Sequence, residues 1–189
     1  GIVYGANVQT LVTEAQTYVK EEMTFIASTD IKDPLMDATF DVIFKNGETE
    51  MIVPGFWDGD NVWKVRFALP SEGTWTYTTV FSDTTDSGLH NISGNINVTK
   101  YSGDLDIYKH GFVKTDSDKK YFVYADGTPF FYLGDTHWSM PKEEIDSKGP
   151  NAGDIETNSH FKYIVDRRAA QGFTVYQSEP LDASYNVTD

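Results

Sequence analysis

No cysteine occurs among the 189 residues. That absence removes a disulfide framework, a thiolate nucleophile and any cysteine-based zinc site, and it is compatible with an exported bacterial protein. Positive charge is also scarce: 15 Lys and Arg stand against 29 Asp and Glu, a formal net charge of −14. The basic residues form no run, and so acidic a chain repels phosphate backbones, so nucleic acid is not expected as a partner. No apolar stretch approaches the roughly 20 residues that cross a bilayer, so no membrane span is expected. His90, His110, His137 and His160 do not show metal-ligand spacing. The stretch Asp83 to Gly88 is Asp-rich, but it lacks the terminal Glu of a calcium loop and reads as a solvated turn. There is no Gly-x-Ser-x-Gly elbow and no phosphate-binding glycine loop. Neither a metal nor a cofactor is expected.

Aromatic residues are what the sequence has in quantity, at 14%. Such side chains fit a pleated, half-buried surface, and up to about Lys100 the pattern has period two. Met23, Phe25 and Ala27 alternate with polar neighbours, as do Phe40, Val42 and Phe44. Asn46-Gly47 then signals a hairpin, with Met51 and Val53 on the return strand. Trp63, Val65, Phe67 and Leu69 share one face, opposite Lys64 and Arg66. Trp75, Tyr77, Thr79 and Phe81 make another row, and Ile96 with Val98 a last one. Short strands at this spacing predict an antiparallel β-sandwich over residues 1–100, with Phe25, Phe40, Val42, Trp63, Val65, Phe67, Trp75 and Tyr77 in its core. The aromatic pair Trp75 and Tyr77, just after the turn at Pro70 to Gly73, is compatible with a tyrosine corner.

The polar segment 101–109 reads as a linker, and beyond it the pattern changes. A strand and a turn are expected over Val113–Lys120 and a second strand over Tyr121–Tyr124, with a further turn at Asp126-Gly127. Pro129 to Leu133 is a continuous apolar run, the mark of a strand buried on both faces. Phe161, Ile164, Val165 and Ala169 recur at helical spacing, with Arg167 and Arg168 near the end, Gly172 as the stop, and Asn158 or Ser159 as the cap. Phe173 to Gln177 reads as another buried strand. Strand, helix and strand in this order is a βαβ unit of a parallel sheet, so residues 110–189 are expected to open a larger α/β domain. The fold class read from the pattern is mainly β: an antiparallel sandwich followed by a truncated βαβ start of a parallel sheet.

Several blocks carry a family resemblance. Val53-Pro54-Gly55-Phe56-Trp57-Asp58-Gly59 with Trp63-Lys64-Val65-Arg66-Phe67 resembles a bacterial Ig-like domain of unknown function. His110-Gly111-Phe112, Tyr124-Ala125-Asp126-Gly127, Leu133-Gly134-Asp135-Thr136-His137-Trp138 and Arg168-Ala169-Ala170-Gln171-Gly172-Phe173 resemble the start of an apiosidase-like (β/α)8 catalytic domain. The resemblance implies a secreted, periplasmic or cell-surface bacterial glycoside hydrolase acting on plant or other complex polysaccharides. It also implies a carbohydrate partner, with the rest of the barrel and its catalytic carboxylates beyond Asp189.

Active sites of such barrels form at the C-terminal ends of the strands. Asp135, His137 and Trp138 follow the first expected barrel strand; Gln177 and Glu179 end the second. These five are the expected substrate-binding residues: carboxylates hold sugar hydroxyls through charge-assisted hydrogen bonds, and Trp138 offers a stacking face. Asp135 and Glu179 are the only carboxylate pair the chain offers for the separations of about 5–5.5 Å or about 6.5–9.5 Å that glycoside hydrolysis uses. The resemblance instead leaves this portion without catalytic residues of its own. Phe56, Trp57 and Asp58 form an aromatic-acidic loop of the kind binding modules use on sugars; the reading preferred over that one is that they plug the sandwich end or, above all, a domain seam. The alternative is a non-catalytic carbohydrate-binding or protein-interaction sandwich, which would have no need of a βαβ segment.

Overall fold

The computed structural model describes residues 9–118, 120–137 and 160–178. The chain is mainly β, in the order β1 (Glu14–Gln16), β2 (Glu21–Ile26), β3 (Phe40–Asn46), β4 (Thr49–Pro54), β5 (Phe56–Trp57), β6 (Val62–Phe67), β7 (Gly73–Phe81), β8 (Ser93–Thr99), α1 (Asp106–Lys109), β9 (Lys114–Thr115), β10 (Phe122–Val123), β11 (Pro129–Phe130), β12 (Gly134–Thr136), α2 (His160–Ala170) and β13 (Val175–Gln177). It divides into two compact units. One runs up to Lys114 and includes Tyr124–Thr128; the other comprises Thr115–Val123 and the chain from Pro129 on.

In the first unit a five-stranded sheet, β1-β8-β7-β3-β4, and a three-stranded sheet, β2-β6-β5, contribute to one core. The period-two rows are buried as the sequence predicts. Phe25, Phe40, Val42, Trp63, Val65, Phe67, Trp75 and Tyr77 all belong to the core, while Arg66 is exposed and Lys64 lies between. Edge-to-face rings join the two sheets: Phe40 meets Trp63 at 5.9 Å and Phe25 at 5.3 Å. On the outer face of β6, Lys64 bonds Asp58 at 2.5 Å and Arg66 bonds Glu22 at 2.5 Å. The pairing is antiparallel with one exception, β1 running parallel to β8 through Glu14↔Asn97. The β3–β4 hairpin turns on Gly47, whose φ of +57° is the left-handed geometry that a two-residue turn needs at its first position.

Two local expectations are corrected. Among the described residues it is the indole N–H of Trp75 that bonds back to the turn before β7, donating to the Ser71 carbonyl at 2.9 Å. Asp86 is not in a solvated turn but fully buried. Residues 101–109 contain the four-residue helix α1, and Tyr101 packs edge-on against Tyr108 while its N–H donates to Thr17 at 3.1 Å.

In the second unit β10 and β11 form an antiparallel hairpin, and β12 pairs in parallel with β13. The apolar run Pro129 to Leu133 is not one doubly buried strand. Pro129–Phe130 closes the hairpin, and the strand that meets β13 begins only at Gly134. Phe131 and Tyr132 are 72% and 54% exposed, since among the described residues nothing packs over both faces. Helix α2 ends as expected: Gly172 sits at φ +85° and the Phe173 N–H bonds the Arg168 carbonyl at 3.0 Å, a glycine-terminated helix end. The expected caps Asn158 and Ser159 lie outside the described residues.

Candidate active-site strand ends

Strands β12 and β13 set the positions of the predicted site residues. Their register pairs Asp135 with Tyr176 and Thr136 with Gln177, and the ladder continues as the His137 N–H donates to the Gln177 carbonyl at 2.9 Å. Side chains alternate across a strand, so the register sorts the residues by face. Asp135 lies on the α2 side, where Arg168 Nε donates to its Oδ2 at 2.5 Å. Tyr176 is on that side too, edge-on to Phe161 of α2 at 5.6 Å. His137 joins them, stacked on the Tyr176 ring at 5.4 Å. Thr136 and Gln177 therefore occupy the opposite face, and both are exposed.

The α2 side holds a cavity of about 160 Å³ lined by Asp135, Val165, Arg168, Phe173 and Tyr176 among others. Arg168 is fixed from three directions: by Asp135, by Gln171 Oε1 at 2.9 Å, and by the Phe173 ring under its guanidinium at 5.0 Å. Asp135 Oδ1 accepts the Thr136 N–H at 3.0 Å, so both carboxylate oxygens are engaged. Desolvation is the largest influence on this carboxyl and pushes its pKa up. The Arg168 hydrogen bond, the Thr136 N–H and the charges of Arg168 and His137 together outweigh it and hold the pKa below the ordinary value. A carboxylate kept ionised carries no proton to donate at neutral pH, which suits it to holding a charge and not to general-acid work. His137 Nε2 lies 3.7 Å from Asp135 Oδ2, while its Nδ1 is buried with no hydrogen-bond partner among the described residues.

The structure thus brings Asp135 and His137 together, and sets Gln177 on the other face of the same strand pair. Trp138 and Glu179 lie outside the described residues, so the Asp135–Glu179 pair does too. Arg168 escaped the sequence reading, which took it as a charge at a helix end; its partner stands 33 residues away on a strand. Among the described residues no group of three or more His, Asp or Glu side chains is placed to hold a metal ion, and no helix is long and apolar enough to cross a membrane.

The Gly55–Gly59 block of the first unit has a structural account. Gly55 carries the chain from one sheet to the other, its N–H bonding the Phe40 carbonyl at 2.7 Å. Trp57 packs against the core and donates its indole N–H to the Asp60 carbonyl at 2.9 Å. Phe56 lies under the Arg66 guanidinium at 4.8 Å.

Comparison with known proteins supports the resemblance read from the motifs. Residues 14–82 match a domain of unknown function, DUF5060, and residues 116–188 match the apiosidase-like catalytic domain. Among solved structures the chain is similar to one described as a putative glycoside hydrolase from Bacteroides vulgatus ATCC 8482. The two share 26% identity with a TM-score of 0.59, over 70% of this chain and 24% of that one. The chain thus spans about a quarter of the length of that relative. No curated protein matches it. These relations connect the chain to glycoside hydrolases.

Proposed function

We propose that this chain is the N-terminal portion of a secreted glycoside hydrolase that acts on plant or other complex polysaccharides. In this reading residues 1–100 are an Ig-like sandwich that supports a catalytic (β/α)8 barrel, and residues 110–189 open that barrel, with 101–109 between them. The observation that carries it is the parallel pair β12–β13 joined through α2, in the segment matched by the apiosidase-like catalytic domain. A strand, a helix and a parallel strand is the repeating unit of such a barrel, whose helices lie outside and whose strand ends surround the substrate.

That architecture divides the candidate residues by role. Gln177 and Thr136, on the face away from α2, are on the side a barrel turns inward, and Gln177 offers both a donor and an acceptor to sugar hydroxyls. Trp138 and Glu179, which follow these strands in the sequence, complete the sugar-binding set in this reading. Asp135 and His137 serve this surface from the helix side. The Asp135–Arg168 pair locks the end of β12 to α2, so Asp135 is a positioning residue, and general-acid chemistry falls to carboxylates of later strands.

The test is reducing-sugar release from a panel of plant polysaccharides by the full-length parent protein. The parent is expected to be active and the 189-residue chain inactive. In the parent, Gln177→Ala should lower kcat/KM about ten- to a hundredfold, the equivalent of about 1–3 kcal/mol of lost hydrogen bonding. Asp135→Asn should lower the melting temperature together with kcat, leaving the pH profile of kcat/KM in place. Absence of hydrolysis by the parent on every polysaccharide would sink the reading. A loss beyond about ten-thousandfold in Asp135→Asn, restored by azide, would make Asp135 catalytic instead.

A further inference from the structure

By sequence, the turn at Asp126-Gly127 lies inside the stretch 116–188 matched by the apiosidase-like catalytic domain. By structure it sits elsewhere: Tyr124–Thr128 falls in the first unit, while β10 and β11 on either side of it fall in the second. The chain leaves the first unit after Lys114, returns to it at Tyr124 and leaves again after Thr128.

Residues of the first unit itself hold the turn there. Gly127 closes it at φ +91°, with the Tyr124 N–H on the Thr128 carbonyl at 2.8 Å. Asp126 then bonds in two directions. Its Oδ1 accepts the Thr128 N–H at 2.9 Å, within the turn, and its Oδ2 lies 2.7 Å from Nδ1 of His110, the residue that ends α1. The Thr128 N–H and the His110 bond bring the Asp126 pKa down to about 2, so the carboxylate only accepts and Nδ1 is the donor. The Asp126 N–H returns a bond to the His110 carbonyl at 3.2 Å, and Lys114 Nζ donates to the Ala125 carbonyl at 3.0 Å. The buried Tyr124 ring packs against the His110 ring at 5.4 Å. Gly111 makes the close approach possible: at φ +85°, its missing Cβ would lie 2.5 Å from the Tyr18 ring and 2.8 Å from Ala125 Cβ. Tyr18 is in turn edge-on to Phe112 at 5.1 Å, and its N–H bonds the Leu69 carbonyl at 2.8 Å.

We propose that this turn is a clasp: the first unit grips the β10–β11 hairpin at its tip, and the hairpin that leads into β12 owes its order to that grip. The strands β9, β10 and β11 are two residues each, and isolated hairpins of small size are marginal in water. Phe122 and Tyr132 stack at 5.5 Å, yet both remain exposed. Burial is instead concentrated at the tip, in Val123 and Tyr124. A single tether leaves two units to open independently, whereas a hairpin pinned at its tip opens only after the pin lets go. In the proposed glycoside hydrolase this is how the first unit supports the catalytic domain, and the inference rests on that reading for this meaning alone.

Hydrogen exchange read by mass spectrometry on the 189-residue chain tests the clasp with two variants. Gly111→Ala drives a methyl group between Tyr18 and Ala125; His110→Ala removes the bond to Asp126 without adding bulk. The core cluster from Ala15 to Val98 contains neither residue, so both variants should keep the first unit folded. Peptides covering residues 120–130 are expected to lose protection at least about tenfold in each variant, while those covering β3 and β7 keep theirs. Unchanged protection of 120–130 in either variant overturns the proposal. So does an equal loosening of β3 and β7, which would make the turn part of the core and not a clasp upon it. Hydrolysis by the parent enters neither outcome: a parent inactive on every polysaccharide would end the glycoside hydrolase reading and leave the clasp standing.

Discussion

Asp86 concentrates more hydrogen bonding than any other described carboxylate. Its two oxygens accept from the Ser28 and Thr29 N–H groups, from both of their hydroxyls, and from the N–H groups of Gly88 and Leu89, at 2.6–3.1 Å. The carboxylate therefore staples the loop after β2 to the turn after β7. Desolvation is the largest influence and raises its pKa, but the hydrogen bonds from Thr29 and Ser28 prevail and lower it to about 2. The native group thus binds its proton less readily than the unfolded one, at the ordinary 3.8. The resulting stability is fully present above about pH 4 and is lost as pH falls through about 2. It amounts to roughly 2 kcal/mol. Asp86→Ala leaves several buried donors unpaired and should destabilise by about 3 kcal/mol in urea unfolding at pH 7. At pH 2 the gap between wild type and variant should narrow, and a gap unchanged by pH would show that the ionised form contributes nothing special. The sequence shows Asp86 only as one Asp in a polar turn, because the donors that bury it come from 57 and 58 residues away.

The elements of the first unit were legible because each strand writes its own alternation. Trp63, Val65 and Phe67 had to share a face whichever strands flanked them, and the Asn46-Gly47 hairpin is specified within four residues. The second unit was less legible, and Pro129 to Leu133 shows why. An apolar run announces burial without saying by what, and here the run spans the end of a hairpin and a connection before β12 begins. The same limit hid the face on which Asp135 points, since that depends on where α2 packs. Between these extremes stands Gly55, visible as a motif residue but not as a steric one. A Cβ there would lie 2.1 Å from the Phe40 ring and 2.9 Å from the Lys64 carbonyl oxygen, so the crossing between the sheets needs a bare backbone. Gly55→Ala should therefore destabilise by about 1–3 kcal/mol through overpacking. Gly47, with nothing within 4 Å of its missing Cβ, meets no steric clash, so Asn there should cost only the strain of a positive φ, less than the loss at Gly55, because Asn tolerates that region better than most residues. Adding Phe40→Leu to Gly55→Ala ought to recover part of the loss. Equal unfolding midpoints for Gly55→Ala and Gly47→Asn would refute the steric account.

At the scale of the whole chain, apolar burial is uneven, and stability should follow it. The core cluster runs from Ala15 to Val98, entirely within the first unit. In the second unit Val123 is the only apolar side chain among the described residues that reaches full burial, while Phe131, Tyr132 and Tyr121 stand largely exposed. Hydrophobic burial contributes about 25 cal/mol per Å², and regions with few buried contacts open at free energies well below the global value. The strands of the first unit should therefore exchange their amide hydrogens only on global opening, whereas β12, α2 and β13 should open locally. Hydrogen exchange read by mass spectrometry at neutral pH checks this. Peptides covering β3 and β7 are expected to remain protected at least about a hundredfold longer than peptides covering β12 and β13. In the full-length parent the second set should slow sharply, because further barrel strands would cover the open face of Thr136, Val175 and Gln177. The peptides of the first unit should be unchanged by the same extension. Equal protection of both sets in the 189-residue chain would mean that β12, α2 and β13 are already a finished cooperative unit. The barrel-opening reading of that segment would then lose its thermodynamic basis.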